Sequence, residues 1–193
     1  MDFGVPIIVE NDVNAAAIGE AYYGAAIDCP DFLCLTFGTG VGGAIVSDGK
    51  LLRGADGAAG EFGQMKASKD CFYEEKASVF ALVQAALEID PSLKNGRLII
   101  ENLENKDVRA IFDAWINEII TGLVSLTHIF NPPLIILGGG IMENHWLVKD
   151  IDERLKKAVL PSFSNVKTRP ALLGNRAGMY GAHRQLLELM KGI

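Results

Sequence analysis

Between Phe32 and Val46 the chain reads Phe-Leu-Cys-Leu-Thr-Phe-Gly-Thr-Gly-Val-Gly-Gly-Ala-Ile-Val, which sets Thr36, Gly38, Thr39, Gly40, Gly42 and Gly43 between two short apolar runs. Glycines remove β-carbons and let backbone N–H groups approach an anion, and threonine hydroxyls add further donors. A phosphate tail fits such a cradle. The same composition also suits a glycine-rich hairpin with only a structural role. The spacing is not that of a Walker A loop, which ends in Gly-Lys-Ser/Thr, nor of a dinucleotide fingerprint, which opens a helix at once. A second strand follows instead, Gly42 to Val46, and then the turn Ser47-Asp48-Gly49. The stretch is read as a phosphate loop inside a β-hairpin.

Carboxylates are the other chemical candidates. Asn11-Asp12 lies between the β-branched run Val5 to Val9 and an alanine-rich segment, Val13 to Tyr23, that is expected to be helical. Either residue is a natural helix N-cap, because its side-chain oxygen can take an orphan backbone N–H. A strand-to-helix junction is also where a catalytic carboxylate would be exposed and yet held by rigid elements. Glu61 is the only charged side chain after Asp56 in the small-residue loop Gly54 to Gly63, and is either a solvated loop charge or a ligand contact. Gly138-Gly139-Gly140 follows the apolar run Leu134 to Leu137, and glycines at the carboxyl end of a buried strand let a ligand approach.

The elements that must position these residues follow from periodicity. Lys50 to Leu52 is expected as a third strand, and Ala67 to Glu75 as an irregular polar stretch. Lys76 to Leu87 predicts one helix, and Arg97 to Ile100 could pass for a strand. Val108 to Phe130 carries Ile111, Trp115, Ile119, Leu123 and Leu126 on one repeating face, the mark of a long amphipathic helix. His128 near its end is read as a packed or capping histidine. Asn131-Pro132-Pro133 stops that helix. A helix from Trp146 to Val159, a strand near Val166 to Arg169 and a final helix from Met179 to Met190 complete the chain. Three consecutive strands followed by alternating helices and strands predict an α/β fold with a mixed sheet, by analogy a lobe of the actin-like, ribonuclease H-like ATPase architecture.

Bulk properties narrow the partners. The 193 residues carry 24 acidic against 18 basic side chains, a net charge of -6, which argues against nucleic acid or an anionic membrane as the main partner. No uninterrupted apolar run approaches the roughly 18 residues of a membrane span, and no secretory signal opens the chain. Cys29, Cys34 and Cys71 form no metal-binding spacing, so a reducing cytoplasm is the expected setting.

Four stretches in order then resemble the ROK sugar kinases, a family that also includes sugar-responsive repressors. They are Glu10-Asn11-Asp12-Val13-Asn14-Ala15-Ala16-Ala17, Leu35 to Gly43, Gly57-Ala58-Ala59-Gly60-Glu61-Phe62-Gly63, and Asn131 to Gly140. The resemblance implies that Asp12 is the general base that accepts a sugar hydroxyl proton as the oxygen attacks the γ-phosphate of ATP. It implies that Asn11 hydrogen-bonds the sugar and that Glu61 and Glu74, the latter in a Glu-x-x-Ala-Ser pattern, hold its hydroxyls. Thr36, Gly38, Thr39, Gly40, Gly42 and Gly43 would hold the ATP phosphates, Gly138, Gly139 and Gly140 the adenosine, with Mg2+ accompanying ATP. It further implies a homodimer.

Two departures from the family pattern stand out. Where many members carry a histidine and a cysteine cluster that bind zinc, this chain has Gln64 and only Cys71, so no structural zinc is expected, as in β-glucoside kinase-like members. An Asp-x-Gly-Gly-Thr phosphate motif of a preceding lobe does not occur either. The expected organisation is a junction at residues 1–25 and a C-terminal lobe at 26–193, with the N-terminal lobe absent and little kinase activity by the chain alone. The alternatives are the sugar-sensing region of a ROK-type repressor and an inert sugar-binding module.

Overall fold

The computed structural model describes residue 5 and residues 7–191. Chain order is α1 (Asp12–Tyr23), β1 (Phe32–Phe37), β2 (Val41–Ser47), β3 (Lys50–Leu51), β4 (Lys66–Ser68), β5 (Cys71–Phe72), α2 (Glu74–Ala77), α3 (Val79–Ile89), α4 (Gly96–Glu101), α5 (Lys106–Phe130), β6 (Leu134–Gly138), α6 (His145–Ala158), β7 (Lys167–Pro170) and α7 (Ala177–Lys191). The main sheet runs β3-β2-β1-β6-β7. β1 pairs antiparallel with β2 and parallel with β6, and β7 pairs parallel with β6. This is the mixed α/β sheet expected from the order of elements.

Period-two burial sorts the strands between two layers. Leu33, Leu35, Phe37, Ile45, Ile135 and Leu137 join the core of α3, α5 and α6, whereas Cys34, Ala44, Val46, Leu134 and Ile136 join Val13 and Ala17 of α1 on the other face. Register is fixed because a one-residue slip would exchange the two sets. By length and composition α5 could cross a membrane, with mean hydropathy 1.2 in its most apolar window, but half of that window is buried here as the core helix against the sheet. It ends where Asn131 adopts a left-handed conformation (φ 45°) and donates its N–H to Thr127 O. His128 is exposed, with Nε2 accepting from Leu160 N at 3.2 Å and its ring edge-on to Phe163.

Four local expectations change. Residues 7–9 of the Val5 to Val9 run form no strand, and Val9 is 91% exposed; Pro6 lies outside the described residues. They join neither sheet of the described residues, and β-branched residues alone do not make a strand. The stretch after Ala67 is not irregular throughout: β4 and β5 form a hairpin in which Lys66 Nζ lies 3.6 Å from the Phe72 ring centroid. Arg97 to Ile100 is helical within α4, because Asn95 Oδ1 caps Leu98 N at 3.0 Å and Arg97 pairs with Glu101 one turn on. The helix expected over Lys76 to Leu87 is broken at Ser78 (ψ 156°), where Ser78 Oγ accepts from Ala81 N and the buried Trp115 indole donates to both Ala77 O and Ser78 O.

Candidate functional site

At the start of α1 the two polar candidates divide their work. Asn11 is the N-cap: its Oδ1 accepts from Val13 N at 2.9 Å and Asn14 N at 3.0 Å. Its amide NH2 has no partner among the described residues. Asp12 is the first helical residue, exposed, with Oδ1 accepting from Val13 N at 2.9 Å. Its second oxygen, Oδ2, makes no hydrogen bond among the described residues.

Gly40 and the first two glycines of β2, Gly42 and Gly43, explain how three acidic segments meet. A β-carbon on Gly42 would fall 2.5 Å from Val13 Cγ2, so α1 can lie against the strand only because Gly42 has none. One on Gly43 would strike the Phe62 ring and Gly60 O, the segment that carries Glu61. One on Gly40 would fall 2.5 Å from Glu74 Oε2. Gly40 to Gly43 is therefore a bare stretch of backbone against which the segments bearing the Asn11–Asp12 cap, the exposed Glu61 and the half-buried Glu74 pack. Gly42 and Gly43 lie packed within β2, whereas Gly38 and Thr39 form the exposed turn and a β-carbon on Gly38 would meet nothing within 4 Å. Thr36 is half-buried in β1, its Oγ1 3.0 Å from the same built β-carbon on Gly42.

Glu74 is held at both oxygens. Gln64 Nε2 donates to Oε1 at 2.7 Å and Val41 N donates to Oε2 at 3.3 Å. Gln64 thus fixes the orientation of the carboxylate, a contact across ten residues that sequence pattern does not disclose. Among the described residues no group of three or more His, Cys, Asp or Glu is placed to hold a metal.

Two of the cavities along this edge reach the Gly138–Gly140 turn. The larger, about 1090 Å3, is bounded by Phe37, Gly38 and Thr39 on one side and by Gly140 and Ile141 on another. Its remaining wall comes from α3 and α4 and includes Phe80, Val83, Asn95, Arg97 and Ile100, none of which sequence reasoning had marked. Phe80 is 55% exposed, and its N–H donates to Gly38 O at 3.1 Å, which ties an aromatic wall to the glycine turn. A flat aromatic beside a polar turn is suited to a nucleobase. Exposed aromatics after a helix break were the available signal, but the break itself was not legible. Gly139 has φ 102° and abuts Phe37 O, so only glycine fits, and Gly140 is open. The smaller cavity, about 290 Å3, lies beside Asp12, Thr36, Gly138 and Gly139 and reaches the N-terminus of α7.

Two further acids, one buried and one half-buried, were also missed. Glu20 is fully buried and accepts from Ala25 N, Leu172 N and Leu173 N at 2.7, 3.1 and 2.9 Å, closing the end of α1 against the approach to α7. Glu10 accepts from Asn11 N, Asn14 Nδ2, Gln185 Nε2 and Arg53 Nη1. Burial pushes its carboxyl up, but the Gln185, Arg53, Asn11 and Asn14 hydrogen bonds outweigh that and hold it below 4.5. A depressed folded value means the contribution is complete above the unfolded value and is lost as pH falls through the folded one. The stability gap between wild type and Glu10→Gln is accordingly expected to be constant from pH 8 to about 5 and to shrink below 4.5, as read by thermal melts across that range.

The sequence profile described as the ROK family matches residues 1–188. The chain is 34% identical over 199 residues to a β-glucoside kinase of Listeria innocua, covering 96% of this chain and 66% of that one. It is 32% identical over 205 residues to a glucokinase of Halalkalibacterium halodurans, covering 92% and 62%. It superposes on a ROK family glucokinase of Streptomyces griseus, solved with glucose and AMPPNP, with TM-score 0.86 and 29% identity over 96% of this chain and 70% of that one. The chain thus spans about two thirds of the length of the curated relatives it matches.

Proposed function

This chain belongs to the ROK family, and on that premise we propose that it supplies the larger, C-terminal part of an ATP-dependent sugar kinase. The observation that carries the proposal is the run of glycines from Gly40 into β2, against which the segments bearing Asp12, Glu61 and Glu74 pack, beside a turn opening on a cavity of nucleotide size. In this proposal the sugar hydroxyl oxygen attacks the γ-phosphorus of ATP, the bond from phosphorus to the β–γ bridging oxygen breaks, and ADP leaves. The hydroxyl proton passes to the Asp12 carboxylate. The Asn11 amide NH2, Glu61 and Glu74 hold the neighbouring hydroxyls, where a missing hydroxyl would leave a partner unpaired. Gly38, Thr39 and Gly40 receive the phosphates, with Thr36, Gly42 and Gly43 shaping the hairpin that presents them. Gly138, Gly139 and Gly140 with Phe80 frame the adenosine.

Mg2+ would be carried on the ATP phosphates, where it would neutralise their charge while taking few protein ligands. No zinc is assigned. A preceding lobe would close over the nucleotide and exclude water, so residues 1–193 alone are expected to turn over poorly. The substrate is a hexose or a glycoside, the setting cytoplasmic and the assembly a homodimer.

The test is ADP release with Mg-ATP over a panel of glucose, β-glucosides, N-acetylmannosamine and fructose, on residues 1–193 and on the full product of the gene. Sugar-dependent ADP release by the full product is expected. Sugar binding with no ADP release from either would replace the kinase by a sugar sensor.

A further inference from the structure

Glu10 precedes the Asn11 cap, and its side chain is 7% exposed. It meets three separate parts of the chain: Asn11 N at 3.0 Å and Asn14 Nδ2 at 3.2 Å in the start of α1, Arg53 Nη1 at 2.6 Å after β3, and Gln185 Nε2 at 2.6 Å on α7. Arg53 also closes the turn that leads to Glu61, since its carbonyl accepts from Ala59 N at 3.1 Å. One carboxylate therefore joins the Asp12 cap, the Glu61 loop and the last helix. Asn14 and Gln185 turn their NH2 groups to Glu10 while Asn14 Oδ1 and Gln185 Oε1 find no protein donor among the described residues, so the carboxylate dictates both orientations.

We propose that Glu10 is the positioning residue for the sugar side of the site: through Arg53 it sets the Glu61 loop against the Asn11–Asp12 cap. The proposal rests on the kinase reading above. Arg53 is half exposed and its charge stays solvated when unpaired, so the pair is worth little as a global brace. Its value lies in geometry, because misplacing a binding group by about 1 Å can cost ~10²-fold. The adenosine wall is built by α3 and α4, which Glu10 does not touch, so an effect through this carboxylate falls on sugar and not on ATP.

The experiment uses the full gene product with Arg53→Met, Arg53→Lys, Glu10→Gln and the Glu10→Gln/Arg53→Met pair. Arg53→Met is expected to raise the sugar KM about tenfold or more with the ATP KM and the melting temperature nearly unchanged, and Arg53→Lys to recover part of the loss. The double variant is expected to be no worse than Glu10→Gln alone, since the two residues act as one unit. Amide hydrogen exchange over residues 53–61 is expected to quicken in Arg53→Met while that of α7 does not. An unchanged sugar KM, an equal rise for both substrates, or unchanged exchange over 53–61 would overturn the proposal. If the wild-type product phosphorylates no sugar, the kinase reading fails, and the exchange measurement still decides whether Glu10 and Arg53 hold the loop.

Discussion

Asp12→Asn is expected to lower kcat for sugar phosphorylation about 10²–10⁴-fold while leaving sugar affinity within a fewfold of wild type. The asparagine keeps the size of the side chain and an oxygen for Val13 N, which Asp12 Oδ1 now engages at 2.9 Å. The helix cap is untouched, because Asn11 and not Asp12 makes it. What is lost is the capacity to take a proton from the attacking hydroxyl. A kcat within threefold of wild type, measured by ADP release on the full gene product, would remove Asp12 from the role of base.

A second substitution should be large for a purely steric reason. Gly→Ala in the interior of a helix ordinarily stabilises a protein by about 1 kcal/mol. At Gly181 the sign is expected to reverse. An added β-carbon there would run into Ala15 O of α1 and come 3.0 Å from Gly19 N, while one on Gly19 would strike Ala177 O. The two helices meet backbone to backbone, so no rotamer change relieves the clash and the helices must part. A cost of about 3 kcal/mol is expected for Gly181→Ala, seen as a fall in Tm of roughly 10 °C. Because α1 begins at Asp12, the same displacement is expected to reduce activity. A melting temperature equal to or above wild type would show that the helices separate without cost.

The parts of this molecule that could be read in advance are those governed by near neighbours. The β1–β2 hairpin, the apolar face of α5 and the stop at Asn131 depend on residues a few positions apart. The interruption at Ser78 does not: Trp115, which takes the carbonyls there, lies 37 residues away. Arg97 to Ile100 has strand-like composition, but Asn95 and Glu101 decide for helix. In the site, Asn11, Asp12 and Glu61 stood out as polar residues among small or apolar ones, and motif resemblance added Glu74. Glu10 within its motif and Gln64 in the place of a family histidine carry no legible role, because their meaning lies in partners that only folding supplies; Gln185 is 175 residues from Glu10. At Gly42 and Gly43, openness to an anion suggests itself from composition, whereas tolerance of close packing needs the neighbours in place.

The break at Ser78 separates the anchors of the two proposed substrates. Glu74 belongs to α2, and Phe80 belongs to α3 and hangs from Gly38 O, with one serine between the helices and the Trp115 indole clasping both sides. A continuous helix would have turned any shift of Glu74 on the sugar into a rotation of Phe80 at the nucleotide. With the joint pinned at Trp115, each helix can settle on its own guest, and selection can retune the choice of sugar without disturbing the grip on the phosphate donor.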